Sequence, residues 1–146
     1  MSDLQYCYVY RTDEKAVIPS KTHALDAGFD ITIIKKHAVF NDVTTLYDTG
    51  IKLNIPQGYY VEIMARSSLS KFGYMLANNV AIIDNLYRGN IYIPLTKISQ
   101  TAEDIKLPFR CCQMIIKKQE NVKLIETFDE LDVTERNAGG FGSTGV

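Results

Sequence analysis

The C-terminal eleven residues, 136–146, carry groups that bind phosphate. They read RNAGGFGSTGV and contain four glycines, the guanidinium of Arg136 and the hydroxyls of Ser143 and Thr144. Backbone amides, hydroxyls and a guanidinium all donate to phosphate oxygens, and so few apolar side chains cannot form a core. Gly and Ser are also typical of a disordered tail. Phe141 favours the ligand-binding interpretation, because a lone aromatic ring in such an arm suits stacking on a nucleobase.

A second candidate anion site lies in the segment ARSSLSKFG, residues 65–73. Ser67 or Ser68 could cap a short helix, whose free N-terminal amides would then point outward beside Arg66. An ordinary capped turn explains the same residues equally well. The segment by itself therefore predicts a short helix and leaves phosphate binding open.

A third candidate lies in NNVAIIDNLYRGNIYI, residues 78–93, which reads as a strand, a turn and a returning strand. Asp84 follows the first apolar run. A carboxylate at that place could form the turn or could act as the base that activates a water molecule. Without the other segments, the position favours a turn residue.

The elements that must position these groups have the pattern of an all-β protein. Runs rich in Val, Ile and Tyr recur about every ten residues between turn residues, and helical periodicity is hard to find. Many short strands with one short helix predict a sandwich, jelly roll or barrel. The predicted strands are residues 4–10, 29–34, 50–55, 59–64, 75–82, 90–95, 111–117 and 122–126.

Length and charge restrict the organisation and the partners. A chain of 146 residues with 46% hydrophobic content predicts one domain, residues 1–135, followed by the arm, residues 136–146. The formal charge of −1 gives no electrostatic reason to expect nucleic acid or an anionic membrane as partner. The sequence also lacks a membrane-spanning run and a secretory signal pattern, so we expect an intracellular protein, cytoplasmic or nuclear.

The three cysteines fit neither a disulfide framework nor a zinc site, because their number is odd and two of them, Cys111 and Cys112, are adjacent. We expect all three to be reduced and to behave as small apolar residues.

Five segments, in the same order along the chain, resemble the motifs of the trimeric dUTPases, the deoxyuridine triphosphate nucleotidohydrolases. They are AGFDITI at 27–33, ARSSLSKFG at 65–73, NNVAIIDNLYRGNI at 78–91, RCCQMII at 110–116 and RNAGGFGSTG at 136–145. The resemblance covers nearly the whole chain. It implies a β jelly roll, a homotrimer whose active sites lie at subunit interfaces, and an arm that closes over a neighbouring subunit's site.

The resemblance also implies an activity, the hydrolysis of dUTP to dUMP and pyrophosphate. This reaction keeps uracil out of DNA and supplies dUMP for dTMP synthesis. Asp84 matches the family aspartate that activates the attacking water. Asp30 matches the aspartate that holds Mg²⁺ through water, the metal itself being bound chiefly by the triphosphate.

Further residues are implied to contact the substrate. Gln113 matches the glutamine beside the α-phosphate, and Tyr87 matches the tyrosine under deoxyribose that leaves no room for a 2′-hydroxyl. Phe141 would stack on uracil. The implied phosphate contacts are Arg66, Ser67, Ser68, Arg136, Gly142, Ser143 and Thr144, and the implied uracil contacts are Asn78, Ile82, Ile83 and Tyr92.

A few positions depart from the family pattern. Asn85 and Leu86 replace a pair that is usually small or acidic, and Ala81 stands where glycine is commoner. Asn137 replaces a glycine after the arginine of the arm, where asparagine tolerates a positive φ better than other side chains do.

Three other functions are open to a chain of this kind. A dCTP deaminase would share the RSS segment, but it would carry a glutamate where this sequence has Pro94. A regulatory relative could bind nucleotide without turnover, although Asp84 argues against that. A purely structural β trimer would leave Arg136 and Phe141 of the arm without a purpose.

Overall fold

The computed structural model describes residues 3–143 and 145. Nearly all regular structure in this part of the chain is β, and the one helix is a 3₁₀ helix over Leu69–Phe72. The strands are β1 Tyr8–Arg11, β2 Phe29–Ile33, β3 Lys35–Val39, β4 Thr44–Asp48, β5 Ile51–Asn54, β6 Tyr59–Ala65, β7 Tyr74–Leu76, β8 Val80–Ile83, β9 Tyr92–Lys97 and β10 Phe109–Lys118.

The strands form two four-stranded antiparallel sheets, ordered β2-β10-β6-β8 and β3-β4-β9-β7, and a two-stranded ribbon of β1 and β5. Alternate residues of each sheet enter one common core, as Val61 and Ile63 of β6 and Ile93 and Leu95 of β9 do. Full burial of each such side chain contributes about 1.5–3 kcal/mol. The expected all-β, jelly-roll-like architecture is confirmed.

Two strands were not predicted from the sequence, and they form one edge of a sheet. The outermost strand β3 reads KKHAV and is mostly exposed, and its neighbour β4 reads TTLYD. Charged residues on an edge strand are a common protection against edge-to-edge association. Because such a strand buries little, it lacks the apolar alternation by which strands are recognised.

The predicted strand 75–82 was wrong as a single element. It consists of β7, which pairs with β9, and β8, which pairs with β6 in the other sheet. The strand β8 and the returning strand β9 therefore lie in different sheets and do not form a hairpin. The chain changes sheet at Asn79, whose φ is +60°, a conformation that asparagine tolerates. Apolar residues on both sides of this turn hid the break.

The predicted strand 122–126 was also wrong. This stretch has no regular structure, and Val122, Leu124 and Ile125 are exposed. Its β-forming composition has no partner strand within the described part of the same chain. A segment with high β-propensity does not form a strand unless a sheet edge is available to pair with it.

The predicted short helix is confirmed, but the predicted cap is not. Ser68 is the N-cap residue of the 3₁₀ helix, and its side chain makes no capping hydrogen bond. Burial of Leu69 anchors the helix, and Gly73 ends it with a φ of +83°. Among the described residues, no helix has the length and apolar character that crossing a membrane requires.

All three cysteines are free thiols, as expected, with Cys111 and Cys112 buried and Cys7 half-buried. Two adjacent residues of β10 can both be buried because a β-bulge shifts its register with β2 between Arg110 and Cys112. A hydrogen bond to Cys112, together with burial, raises the pKa of the Cys111 thiol. Burial also raises the pKa of Cys7, so these thiols are poor nucleophiles.

Candidate active site

One cluster of polar side chains forms where strands β2, β6 and β10 meet. Arg66 directly follows β6, and its backbone N–H donates to the Cys111 carbonyl at 3.1 Å. Its guanidinium Nε lies 3.3 Å from Oδ1 of Asp30 on β2. A second guanidinium nitrogen of Arg66 donates to the Arg110 carbonyl at 3.2 Å. Residues from three distant parts of the sequence are therefore held together by charge-assisted bonds.

The bulge in β10 brings two further side chains to this cluster. Arg110 pairs with Thr32 and Gln113 pairs with Asp30, and these two partners lie two residues apart on β2. Without the bulge, residues three apart on a strand would point to opposite faces. With the bulge, Arg110 and Gln113 share the face of Asp30, and Arg110 lies 3.6 Å from Oδ2 of Asp30.

Gln113 is fixed between two strands. Its amide nitrogen donates to the Ala65 carbonyl at 3.4 Å. On the other side it fills the space beside Gly28, where an added Cβ would come within 2.5 Å of Oε1 of Gln113. A side chain at position 28 would therefore displace the Gln113 amide from this place.

The charge of this Asp30 cluster (Asp30, Arg66, Arg110 and Gln113) suits an anion, because two guanidinium groups face one carboxylate. Beside it lies a cleft of about 350 Å³, lined by Ala65, Arg66, Ser67, Leu69, Ser70, Tyr74, Met75, Leu76 and Asn79. Ser67 is exposed and Ser68 half-buried at the entrance to the 3₁₀ helix. The cluster and the hydroxyls next to it can donate several hydrogen bonds to one phosphate group.

The donor set also restricts how a metal could bind. Among the described residues, no three His, Cys, Asp or Glu side chains lie close enough to share a metal ion. Both carboxylate oxygens of Asp30 face guanidinium groups. A hard cation such as Mg²⁺ would therefore fit here only if it kept other oxygen ligands, namely water and substrate phosphates.

A second group of predicted residues lies in the turn that follows β8. Asp84 is exposed, and its carbonyl accepts a hydrogen bond from Tyr87 N–H at 3.0 Å, which closes the turn. Ile83 and Ile82 precede it on β8, opposite Val61 and Glu62 of β6. Asp84, the candidate base, and Tyr87, the predicted sugar contact, are thus the first and fourth residues of one turn.

Tyr87 is held by its own hydroxyl and by a close backbone. The hydroxyl donates to the Asn90 carbonyl at 2.7 Å. A Cβ added at Gly89 would clash with the hydroxyl oxygen of Tyr87. The Asn90 side chain in turn donates to both oxygens of buried Asp48, at 3.1 and 3.2 Å. Burial, followed by the nearby Tyr92 and Asp48, raises the pKa of the Tyr87 phenol.

Tyr92, the first residue of β9, stays near this second group. It pairs with Asp48 of β4, and its ring centroid lies 4.3 Å from that of His37. Asn78 does not lie there. It precedes β8, whereas Asp84 follows it, so the two residues stand at opposite ends of a strand about 10 Å long.

The two groups cannot meet within one chain. Continuing the register of β8 and β6 places Asp84 opposite Tyr60, whereas Arg66 lies at the other end of β6. Six residues of extended strand span about 20 Å. One chain therefore keeps its candidate phosphate-binding cluster and its candidate base at opposite ends of β6.

In the described part of the arm, the predicted residues form no hydrogen bond or ion pair with either group. Arg136 bonds to Gly139, with Nε donating to its carbonyl at 2.7 Å. Phe141 is fully exposed at a φ of +52°, and Gly142 and Ser143 follow it on the surface. Asn137 has a φ of +48°, in the region that asparagine tolerates. Thr144 lies outside the described residues.

Sequence reasoning had assigned no role to several residues that shape these groups. Arg110 was quoted only as part of a motif, and its place beside Asp30 depends on a bulge that periodicity does not reveal. Asn90 and Asp48 form a buried polar contact between residues 42 apart. Asn85 was noted as a departure from the family pattern, which was a usable signal that this turn is built differently.

Comparison with known proteins points to one family. The family model described as dUTPase matches residues 14–145. The deoxyuridine 5'-triphosphate nucleotidohydrolase of Finegoldia magna is 46% identical over 112 residues, covering 72% of this chain and 78% of that protein. The enzyme of the same name from Fowlpox virus is 34% identical over 140 residues, covering 94% and 96%.

Solved structures agree on the fold. A mutant dUTPase of Staphylococcus bacteriophage 80alpha, determined with dUpNHpp, superposes with a TM-score of 0.82 at 23% identity, over 98% of this chain and 100% of that chain. A mutant dUTPase from phage phi11 of S. aureus, described with a structural Mg(II) ion, has a TM-score of 0.72 at 19% identity, over 86% and 98%.

Proposed function

The chain belongs to the dUTPase family and is a dUTP-hydrolysing enzyme, and on that premise we propose how its residues divide the work. The Asp30 cluster binds the phosphates of one dUTP molecule. The 84–87 turn of a second subunit supplies the base, and the arm of a third subunit closes the site. The observation that carries this proposal is the distance of about 20 Å along β6 between Arg66 and the place of Asp84.

A homotrimer explains this separation, because each subunit can offer its phosphate-binding end to one neighbour and its turn to another. The exposed apolar surface supports assembly. Residues 120–138 are all exposed, and they include Leu124, Ile125, Phe128, Leu131 and Val133. Tyr6, Tyr8 and Tyr10, which alternate along β1 and its approach, are exposed as well. Apolar surface of this extent is typical of a protein–protein interface.

In the proposed reaction, the Asp84 carboxylate takes a proton from a water molecule whose oxygen attacks the α-phosphorus. The bond from the α-phosphorus to the oxygen that bridges to the β-phosphate breaks, which gives dUMP and pyrophosphate. Arg66 and the Gln113 amide donate to phosphate oxygens where negative charge accumulates. Bound Mg²⁺, carried mainly by the triphosphate and held through water by Asp30, would neutralise part of that charge.

Substrate selection follows from β8, the turn after it and the arm. Tyr87 lies under the deoxyribose, so a 2′-hydroxyl would meet its ring. Phe141 stacks on uracil, and Arg136, Gly142, Ser143 and Thr144 close over the terminal phosphates. Ile82, Ile83 and Tyr92 offer backbone groups to uracil, and a rigid pocket formed by them distinguishes uracil from thymine and cytosine. Asn78 can contact uracil only if assembly of the trimer brings the N-terminal end of β8 to the uracil ring.

The cellular role that fits this activity is the removal of dUTP before uracil enters DNA, with dUMP as the product available for dTMP synthesis. An intracellular location, cytoplasmic or nuclear, follows from that role. Neither nucleic acid nor a membrane is needed as a partner.

The proposal is tested by measuring pyrophosphate release from dUTP, dCTP, UTP and dTTP in parallel, with Mg²⁺ present and after chelation. We expect release from dUTP alone, and a large loss of rate on chelation. Ammonia release from dCTP would instead indicate a deaminase, and binding of dUTP without turnover would indicate a regulatory relative. Either result would refute the proposed reaction.

Oligomeric state is tested separately by light scattering of the ligand-free protein. We expect a mass three times the chain mass of 16.5 kDa. A fully active monomer would refute the shared site.

A further inference from the structure

The residue after the proposed base ties the turn to a distant part of the chain. The side-chain nitrogen of Asn85 donates to the carbonyls of Pro56 and Tyr59, both at 2.9 Å, and approaches that of Ile55 at 3.3 Å. The acceptors belong to the turn between β5 and β6, 26 to 30 residues earlier in sequence. A single side chain therefore fastens one turn to another.

This place suits a hydrogen-bond donor. All three neighbours are backbone carbonyl oxygens, which can accept but not donate a hydrogen bond. An aspartate of the same shape would bring a negatively charged acceptor against them. A small residue would leave them without this donor.

A second bond system supports the same turn. The guanidinium of Arg88 donates to the Asn85 carbonyl and, at 3.1 Å, to the side-chain oxygen of Asn54, which ends β5. Residues 54–59 thus hold the 84–87 turn through both Asn85 and Arg88. The support itself is rigid, because Pro56 has a fixed φ and the Tyr59 N–H donates back to its carbonyl at 3.1 Å.

We propose that Asn85 is a positioning residue, which fixes Asp84 and Tyr87 against residues 54–59 before substrate binds. The proposal rests on the role proposed for Asp84 as the base. The turn is exposed, and Leu86 beside Asn85 has 82% of its surface accessible, so apolar packing does not determine the turn's place. A displacement of about 1 Å at a reacting group can cost about a hundredfold in rate.

The experiment compares kcat and KM for dUTP and UTP in the parent, Asn85→Ala, Asn85→Asp and Leu86→Ala. We expect Asn85→Ala to lower kcat for dUTP by about ten- to a hundredfold while KM changes less than kcat, because binding by the Asp30 cluster is untouched. The preference for dUTP over UTP should also fall, since Tyr87 lies in the same turn. Leu86→Ala, on the same turn without these bonds, should match the parent.

Asn85→Asp separates hydrogen-bond donation from shape. It keeps the size of the side chain and removes the donor, so we expect a loss of kcat at least as large as with alanine. An Asn85→Asp enzyme with the parent kcat would overturn the proposal. So would an unchanged kcat in Asn85→Ala, or an equal loss in Leu86→Ala.

A double-variant cycle tests whether Asn85 acts through Asp84. Adding Asn85→Ala to Asp84→Asn should cause little further loss, because there is no longer a base to position. A full additional loss would show that Asn85 acts independently and would overturn the proposal. If Asp84→Asn alone kept the parent rate, the base assignment under the proposed function would fail instead, and the two failures are thereby distinguished.

Discussion

The connection between β8 and β9, residues 84–90, and the C-terminal segment, residues 120–143, both carry residues assigned to the substrate, but they are held in opposite ways. Hydrogen bonds of the 84–90 connection reach far along the chain, from Asn85 to Tyr59 and from Asn90 to Asp48 and Thr12. In the described C-terminal segment, the hydrogen bonds join residues no more than three apart. Long-range bonds within the chain fix the first region, and the second region has only local bonds.

This difference matches two tasks in catalysis. A base must already stand at the right place when the substrate arrives, because ordering it during the reaction would raise the barrier. A segment that covers the site must instead open to admit dUTP and to release the products. Long-range polar bonds suit the first task, and a segment with only local bonds suits the second.

The largest effect is expected in the 84–90 connection. Asp84→Asn removes the base while keeping its size, so turnover should fall by about 10²- to 10⁴-fold. Binding of dUTP, measured by calorimetry, should stay close to that of the parent. Hydrolysis of dUTP at the parent rate by this variant would contradict the role of Asp84.

The next effect concerns the arm. Ending the chain after Glu135 removes Arg136, Phe141 and the remaining phosphate contacts, and uracil stacking alone is worth about 1–3 kcal/mol. We expect most activity to be lost while the ligand-free melting temperature stays unchanged, because residues 136–138 and Phe141 bury nothing in their own chain. A truncated protein that unfolds would show the arm to be structural, and a fully active one would show it to be dispensable.

The third effect is on substrate choice. Tyr87→Ala removes the ring that is fixed by Gly89 and Asn90, so kcat/KM for UTP should approach that for dUTP. The loss of discrimination should be about ten- to two-hundredfold, the range for a small steric difference in a pocket. Tyr87→Phe, which keeps the ring, is the matched control and should retain most of the preference. Equal discrimination by the parent and Tyr87→Ala would remove Tyr87 from the sugar contact.

Elements were predicted correctly where burial leaves a local apolar pattern, and candidate site residues were recognised where they lie in a family motif. The run 59–64, rich in Val, Ile and Tyr, predicted β6, and the five motifs contain the residues that form the Asp30 cluster and the 84–90 connection. Sequence reasoning failed where the outcome depends on distant partners. The edge strand β3 has little apolar pattern, and 122–126 has the composition of a strand without a partner in its own chain.

The arrangement of the site could not be predicted from the sequence for a similar reason. A one-residue bulge at Cys111 decides that Arg110 and Gln113 share a face, and no periodicity predicts a bulge. The anchoring of Asn85 by carbonyls of residues 55, 56 and 59 depends on how two turns meet in space. The departure at Asn85 from the family pattern marked this turn as unusual, but the carbonyls that it contacts follow only from the finished fold.

The smallest expected effect tests how firmly the 84–90 connection holds Tyr87. Because burial raises the pKa of this phenol, the folded protein keeps the proton to a higher pH than the unfolded chain, whose tyrosines ionise near pH 10. The contribution of Tyr87 to stability is therefore complete below about pH 10 and decreases as the pH rises towards the folded-state pKa. Tyr87→Phe cannot ionise at this position, so taking the difference between the two proteins cancels the other tyrosines. Melting temperatures measured from pH 8 to pH 11 should show the parent losing stability relative to Tyr87→Phe only above about pH 9.5. A difference that stays constant over the whole range would mean that Tyr87 is as solvated as the exposed residues of the arm, and the contrast between the two regions would not extend to this side chain.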